Sequence, residues 1–337
     1  MRVIRLHGVQ DLRLHNEPEP MPGPEEALVR VKAVGLCGSD MHWFAESGIG
    51  DVQLSRPLVL GHEFAGVVES SPVLPRGQLV AIDPAIPCNR CEYCLTGNPN
   101  FCTDLYFAGH GENDGALRDS LAWANRALYP LPDSLTAADG AMLEPLGIAL
   151  HSVDLGHLRP GMSVGVFGCG PIGLLIVQLA RISGATNIIA TDCLPHRVAA
   201  ARELGATLVF QAAGGEENAA VWAATGGRGV DVAFEAAGEN PAVETAVESA
   251  CSGGKVILVG IPADDSTTFT ASTARRKGLT LKLIRRMKHT YPRSIQLVES
   301  GLVDVRALVT HRFPLDQIHE AFAVANSRAG IKVVVET

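Results

Sequence analysis

Residues 163–173 read SVGVFGCGPIG, a short apolar strand that runs into a glycine-rich turn and then into a helix. Gly168, Gly170 and Gly173 stand there in GxGxxG register. The first glycine permits a tight turn, the second lets a pyrophosphate approach the backbone, and the third lets helix pack on strand. Three glycines at this spacing are weak evidence alone, and their surroundings strengthen it. The helix expected over 171–183 opens with Pro171, Ile172 and Gly173 and would aim its unpaired N–H groups at phosphates. A second strand, NIIATD, ends in Asp192, 19 residues beyond Gly173. A carboxylate at that offset grips a ribose diol and repels a 2′-phosphate, so the stretch predicts NAD(H) over NADP(H). The plainer alternative is a buried strand and turn in which Asp192 caps the helix near Pro195.

Around this stretch, from about residue 148, apolar strands alternate with helical patterns. The expected strands are 163–167, 187–191, 208–210, 230–235, 255–259 and 279–284; the helices between them include 195–204, which carries Arg197, and 241–250. Six strands with helices between them predict an α/β fold with a doubly wound parallel sheet. Residues 1–147 are broken by Gly and Pro, their apolar residues alternate, and they read as mostly β. Residues 27–34 (ALVRVKAV) place apolar side chains on one face and Arg30 and Lys32 on the other. Residues 64–69 and 78–82 look similar, 1–6 resemble an edge strand, and 18–24 form a proline-rich extended loop. After residue 291 come a helix, a strand near 309–313, a helix over 316–326 and a last strand over 331–336. This tail is too short for a domain. It is expected to return to the first domain, which makes the nucleotide domain an insertion and leaves a cleft between the two.

A chain of 337 residues is long enough for two domains with substantial cores. Its net charge of −8 and the absence of a dense Lys/Arg run leave no electrostatic footprint for nucleic acid or an anionic membrane. The chain does not open on a basic stretch followed by an apolar segment. The uncharged run 160–180 holds several glycines and two prolines arranged as strand, turn and helix, not as a membrane span. A cytoplasmic protein is expected. Eight cysteines in such a chain point to metal ligands before disulfides.

Cys88, Cys91, Cys94 and Cys102 form CxxCxxCx7C in a loop rich in Pro, Asn and Gly. Four thiolates satisfy a tetrahedral Zn²⁺ with no open position, so a metal there would be structural, stapling a loop that has little core of its own. The absence of CxxCH speaks against haem attachment. An iron–sulfur cluster stays open, and zinc modules that bind nucleic acid share this kind of spacing. The second constellation is scattered: Cys37 in GLCGSD, His62 and Glu63 in GHEFAG, Glu144 in LEPLG. Each has an ordinary reading as a buried thiol, a hydrogen-bonded imidazole or a capping carboxylate. Together they supply one sulfur, one nitrogen and carboxylate oxygens, enough for a Zn²⁺ with a position left for water or substrate, although spacing alone does not bring them together. Cys169 lies inside the glycine turn, facing the presumed cofactor, and with Cys193 and Cys251 reads as a small apolar filler. His7, His15, His151, His157, His196 and His319 read as solvated or core residues.

The motifs GLCGSDMHWF, VLGHEFAGVV, the four-cysteine loop, MLEPLGIALHSV, VFGCGPIGLLIVQLA and LVTHRFPLDQIHEAF, in this order over nearly the whole chain, resemble the zinc-dependent medium-chain alcohol dehydrogenases, and most closely their sorbitol (L-iditol 2-) dehydrogenase branch. The resemblance implies a GroES-like β-rich catalytic domain over 1–147, an inserted six-stranded Rossmann domain over 148–288 that binds NAD, and a segment 289–337 that completes the first domain. It implies two zincs per chain. Cys37, His62 and Glu63 look like ligands of the catalytic one, with Glu144 as the nearby fourth carboxylate, direct or through water. Cys88, Cys91, Cys94 and Cys102 look like ligands of the structural one. Ser39 resembles the hydroxyl residue that contacts the reacting oxygen and passes its proton outward, and Arg286 an arginine that binds substrate hydroxyls. Gly168, Gly170, Pro171, Ile172, Gly173, Asp192 and Arg197 would bind the dinucleotide. Trp43, Phe107 and His110 would line the substrate pocket. Trp43 and Met287 stand where relatives usually carry tyrosines and His110 replaces a threonine, so the pocket differs in shape and hydrogen bonding.

The implied reaction is transfer of hydride from a secondary alcohol of a polyol to NAD⁺, giving a ketose, in a tetramer or else a dimer. An L-threonine 3-dehydrogenase or another medium-chain secondary-alcohol dehydrogenase shares both zinc patterns and the Rossmann turn. A zinc-free quinone reductase lacks the CGSD, GHE and four-cysteine motifs. The non-enzymatic alternative is a regulatory zinc- and nucleotide-binding protein on the same scaffold.

Overall fold

The computed structural model describes residues 1–214 and 216–337 and separates into two compact units. The first comprises Met1–Gly147, Met287–Gly301 and Val305–Thr337; the second comprises Ile148–Arg286 with Leu302–Asp304.

The first unit is built around the strand Glu26–Gly35, which pairs antiparallel with Glu63–Ser70, Ser120–Ala124 and Lys332–Glu336. Its sequence explains this central place. Ala27, Val29 and Val31 alternate into the core while Arg30 faces out; further on, Val34 stays in that core and Ala33 packs against Ala138, Ala141 and Val334. Its last three residues, Ala33, Val34 and Gly35, are all buried, so their backbone groups need partners on both edges. Leu79–Ile82 and Leu128–Pro130 extend the sheet on one side, and Val309–Pro314 on the other, through a parallel pairing with Lys332–Glu336. The strand Arg2–Leu6 pairs with Leu12–Asn16 in a separate two-stranded ribbon, and buries Val3, Ile4 and Leu6.

In the second unit six strands lie side by side in the order Leu208–Gln211, Asn187–Asp192, Ser163–Phe167, Val230–Glu235, Ala250–Leu258, Thr280–Leu283, and every neighbouring pair is parallel. The chain starts in the middle at Ser163–Phe167 and works outward through the helices Pro171–Ile182 and Pro195–Glu203. It then returns to the centre with Val230–Glu235. At that reversal the loops leaving two adjacent strands part, which is where such sheets receive dinucleotides. The fifth strand differs from expectation. It begins at Ala250, five residues before Lys255, and the preceding helix stops at Ser249. The register shifts there: Val230 pairs with Ala250 and Val232 with Lys255, so the extra residues, 251–254, bulge out of the fifth strand itself. Among the described residues no helix is long and apolar enough to cross a membrane.

Candidate functional site

All eight cysteines are free thiols. The sulfurs of Cys88, Cys91, Cys94 and Cys102 lie within 4.8 Å of one another. Four sulfurs about 2.3 Å from a common ion stand about 3.8 Å apart, and Cys91 Sγ is 3.5 Å from Cys94 Sγ. Backbone groups are aimed at this cluster. The N–H of Cys88 donates to Cys102 Sγ at 3.3 Å and the N–H of Cys91 to Cys88 Sγ at 3.4 Å. Such donors favour thiolate, and the N–H of Cys94 helps bring the Cys91 thiol down to about 6. The donor set fits a tetrahedral zinc with no open position.

The second group joins Cys37 Sγ, a ring nitrogen of His62 and a carboxylate oxygen of Glu63 within 4.8 Å. Asp40 brings them together. It is fully buried; one oxygen accepts from the N–H of Cys37 at 2.9 Å and the other from the N–H of Gly61 at 3.2 Å. One carboxylate thus ties the start of the Gly38–Glu46 helix to the turn before His62. The oxygen that takes Gly61 also stands 3.6 Å from His62 Nδ1, which leaves Nε2 turned toward Ser39 Oγ at 3.5 Å. Burial alone would lower the His62 imidazole, but the charges of Asp40 and Cys37 outweigh it and hold the ring well above its usual value. A pocket that draws a proton this strongly fits a cation in the proton's place.

Glu63 is held from behind. Lys332 Nζ donates to its two oxygens at 2.8 and 2.6 Å and to the carbonyl of Leu36 at 3.0 Å, so all three ammonium donors are used. Both side chains are buried. Gly35 lies between the two strands, paired with Val334 on one side and Glu63 on the other, and a methyl there would overlap the carboxylate. The glycine leaves room for the lysine to reach across.

Glu144 lies outside that three-residue group, buried in the first turn of the Leu143–Gly156 helix. Burial raises its carboxyl to about 7, against the pull of His62 and with a push from Glu63. Phe107 packs its ring 5.4 Å from that of His62 and 6.4 Å from that of His110, and His110 meets Trp43 edge-on at 5.7 Å. The three residues expected to line the pocket therefore form one aromatic run from His62. Trp43 is 1% exposed, so it shapes the run from inside the core. Arg286 is the last residue of the continuous segment of the second unit, in left-handed backbone at φ 54°.

The glycine turn has the conformation its spacing predicts. Gly168 is at φ 100°, and a side chain at Gly173 would overlap the carbonyl of Gly168. At Gly170 the nearest group to an added methyl is Arg197 Nη1 at 3.6 Å, which leaves the backbone approachable. Gly170 caps the helix and Pro171 fills its first position, so Ile172 and Gly173 carry the first outward N–H donors. Asp192 has two local duties: Oδ2 accepts from the N–H of Cys169 and Oδ1 from that of Leu194, both at 2.8 Å. The capping alternative is thus present in part. Arg197 Nη1 stands 4.0 Å from Asp192. Cys169 does not face a cofactor; it is fully buried, and its Sγ donates to the carbonyl of Thr191 at 3.3 Å.

Sequence reasoning missed Asp40, His42 and Lys332. Asp40 stands in the quoted GLCGSD motif, three residues after Cys37, a capping-box offset that could have revealed it. His42 is half-buried one turn beyond Ser39, with Nδ1 3.5 Å from Glu46. Lys332 opens the strand KVVVE, directly ahead of three valines, and a lysine against that apolar run was the available signal.

Two family models match the chain: alcohol dehydrogenase GroES-like domain over residues 23–133 and zinc-binding dehydrogenase over residues 171–300. Curated relatives include sorbitol dehydrogenase of Bacillus subtilis, 33% identical over 95% of this chain and 92% of the relative. L-idonate 5-dehydrogenase of Vitis vinifera is 35% identical over 98% and 92%. Among solved structures, an oxidoreductase/dehydrogenase of unknown specificity from Escherichia coli superposes with a TM-score of 0.94 at 31% identity, covering 99% of this chain and 98% of that one.

Proposed function

The chain belongs to the zinc-dependent medium-chain alcohol dehydrogenase family, in its sorbitol dehydrogenase branch, and on that premise we propose that it oxidises a secondary alcohol of a polyol to a ketone, with NAD⁺ as hydride acceptor. The observation that carries the reading is the convergence of Cys37, His62 and Glu63 around the Asp40 tie. Zinc held by those three would supply Lewis acidity toward a substrate hydroxyl. The remaining work belongs to the chain. Ser39 Oγ, beside His62, takes the hydroxyl proton as it gives up its own, and His42, on the same helix face and half-buried, receives the released proton and passes it toward solvent. Asp40 keeps the His62 ring oriented. Phe107, His110 and Trp43 wall the site against water, and the His110 imidazole offers a hydrogen bond that suits a polyhydroxylated chain.

In the second unit, the N–H groups of Ile172 and Gly173 receive the pyrophosphate, while Asp192 and Arg197 take the adenosine ribose. Cys88, Cys91, Cys94 and Cys102 hold a second, structural zinc. Arg286 as a binder of substrate hydroxyls and a tetrameric assembly rest on family resemblance alone.

A panel of C4 to C6 alditols and L-threonine, each with NAD⁺ and NADP⁺ and each before and after chelation, tests the reading. The expected result is alditol oxidation that needs metal and prefers NAD⁺. Turnover of threonine without any alditol would replace the polyol reading with its nearest rival.

A further inference from the structure

Asp192 supports the glycine turn from the strand on one side, through the N–H of Cys169. A second carboxylate does comparable work on the other side. Glu235 closes the Val230–Glu235 strand, the neighbour of Ser163–Phe167 across the topological reversal, and is 1% exposed. Its Oε1 accepts from the N–H groups of Ala237 and Gly238, each at 2.7 Å. The N–H groups of Glu239 and Gly260 also bear on the carboxylate. Its own carbonyl takes the N–H of Val259 at 2.8 Å and that of Gly260 at 3.2 Å.

The loop pinned in this way is the one the glycine turn rests on. The N–H of Ala236 donates to the carbonyl of Phe167 at 2.8 Å, and a methyl on Gly168 would come within 2.7 Å of the Ala237 nitrogen. Gly238 and Gly260 meet backbone to backbone, so neither loop can shift without the other. Stability alone does not call for an acid here. Burial raises the Glu235 carboxyl, a cost that an apolar residue would not carry. What the carboxylate supplies is several acceptor lone pairs at one point, where three loops leave the carboxyl ends of adjacent strands.

We propose that Glu235 is a positioning residue for the dinucleotide site: by holding residues 236–239 and 260 together, it fixes the surface against which Gly168–Gly173 must lie to receive a pyrophosphate. The inference rests on the dinucleotide reading above and adds a residue to it. Glu235 touches neither substrate nor reacting atoms in this role, so its removal acts on cofactor affinity and leaves the chemistry intact.

The test titrates NADH by fluorescence against the zinc-loaded full-length protein and its Glu235→Gln variant. The amide keeps the size and one acceptor but turns an NH₂ group toward backbone N–H groups. The expected result is an NADH Kd weaker by about tenfold, the scale of one hydrogen bond lost at a charged group. KM for NAD⁺ should rise in parallel, with kcat at saturating NAD⁺ and KM for the alditol unchanged. Glu235→Asp, which keeps the charge and shortens the reach, should fall between, and it carries the test if the glutamine variant does not fold. A folded variant that binds NADH with the wild-type Kd overturns the proposal. So does a loss of titratable sites whose remainder keeps that Kd, the mark of a purely structural residue. Wild-type protein that binds no NADH would overturn the dinucleotide reading itself, an outcome the variants cannot mimic.

Discussion

Lys332 and Glu63 form an ion pair in which neither partner reaches solvent, and two such charges depend on each other. Lys332→Met should destabilise the protein by about 3–5 kcal/mol, because it strands the carboxylate, as read from the shift of the urea unfolding curve. Adding Glu63→Gln should recover part of that loss, since an amide needs no counter-charge; a double variant no more stable than Lys332→Met would show that the pair is not the source. Asp192 presents a different problem, because the same carboxylate that would choose the cofactor also anchors the glycine turn. Asp192→Ala should raise the NADP⁺ to NAD⁺ ratio of kcat/KM by about tenfold or more. Asp192→Asn, which keeps an acceptor for one N–H, should change the ratio with less loss of overall affinity. A ratio unmoved by either substitution would remove Asp192 from cofactor choice.

The four-cysteine loop depends on its sulfurs more than any other element does, since Glu92–Leu95 and Pro99–Phe101 are one-turn helices with no buried apolar side chain. Cys102→Ser should lower the metal content by about one ion per chain and open the 88–102 segment to proteolysis, while NADH binding persists. Full metal content in the variant would end the structural-zinc reading. At this scale much was legible in the sequence. Ser163–Phe167 and Val230–Glu235 have the bounds expected of them, because an apolar run bounded by Gly or by a charged residue states its own ends. The start of the fifth strand differs from expectation because ACSGG carries no apolar periodicity and joins the sheet only through the Val230–Ala250 pair, ahead of a bulge in the fifth strand itself. The residues of the metal group could be named from their types, but the reason they converge could not. Asp40 acts through two backbone N–H groups, and Lys332 reaches Glu63 from 269 positions away, past a glycine whose silence in the sequence is what makes the contact possible.

Over the whole molecule, charge pairing sets the response to acid. At Asp119, Asp139 and Asp231 burial works against ionisation, but Arg2, Arg306 and Arg228 override it and hold all three carboxyls below their ordinary value of 3.8. The folded state therefore favours the ionised forms. Their contribution is complete above that value and is lost as pH falls through it and below, so the melting temperature should drop on the acid side, and Asp139→Asn should flatten the drop. Glu144 has the opposite sign. In chelated protein its raised value, about 7 against an ordinary 4.5, favours the protonated form, so its contribution fades as pH rises between those two values. Glu144→Gln should remove that slope from melting curves of the chelated protein; a slope that survives would assign it elsewhere. The strand order has a consequence for synthesis. Every strand of the six-stranded sheet lies within the unbroken segment Ile148–Arg286, while the seven-stranded sheet waits for Lys332–Glu336. On the ribosome the later-made unit can close first. The earlier-made one must keep an edge of its central strand open, a landing place for a chaperone or a wrong partner, until the last strand emerges and delivers its lysine to Glu63.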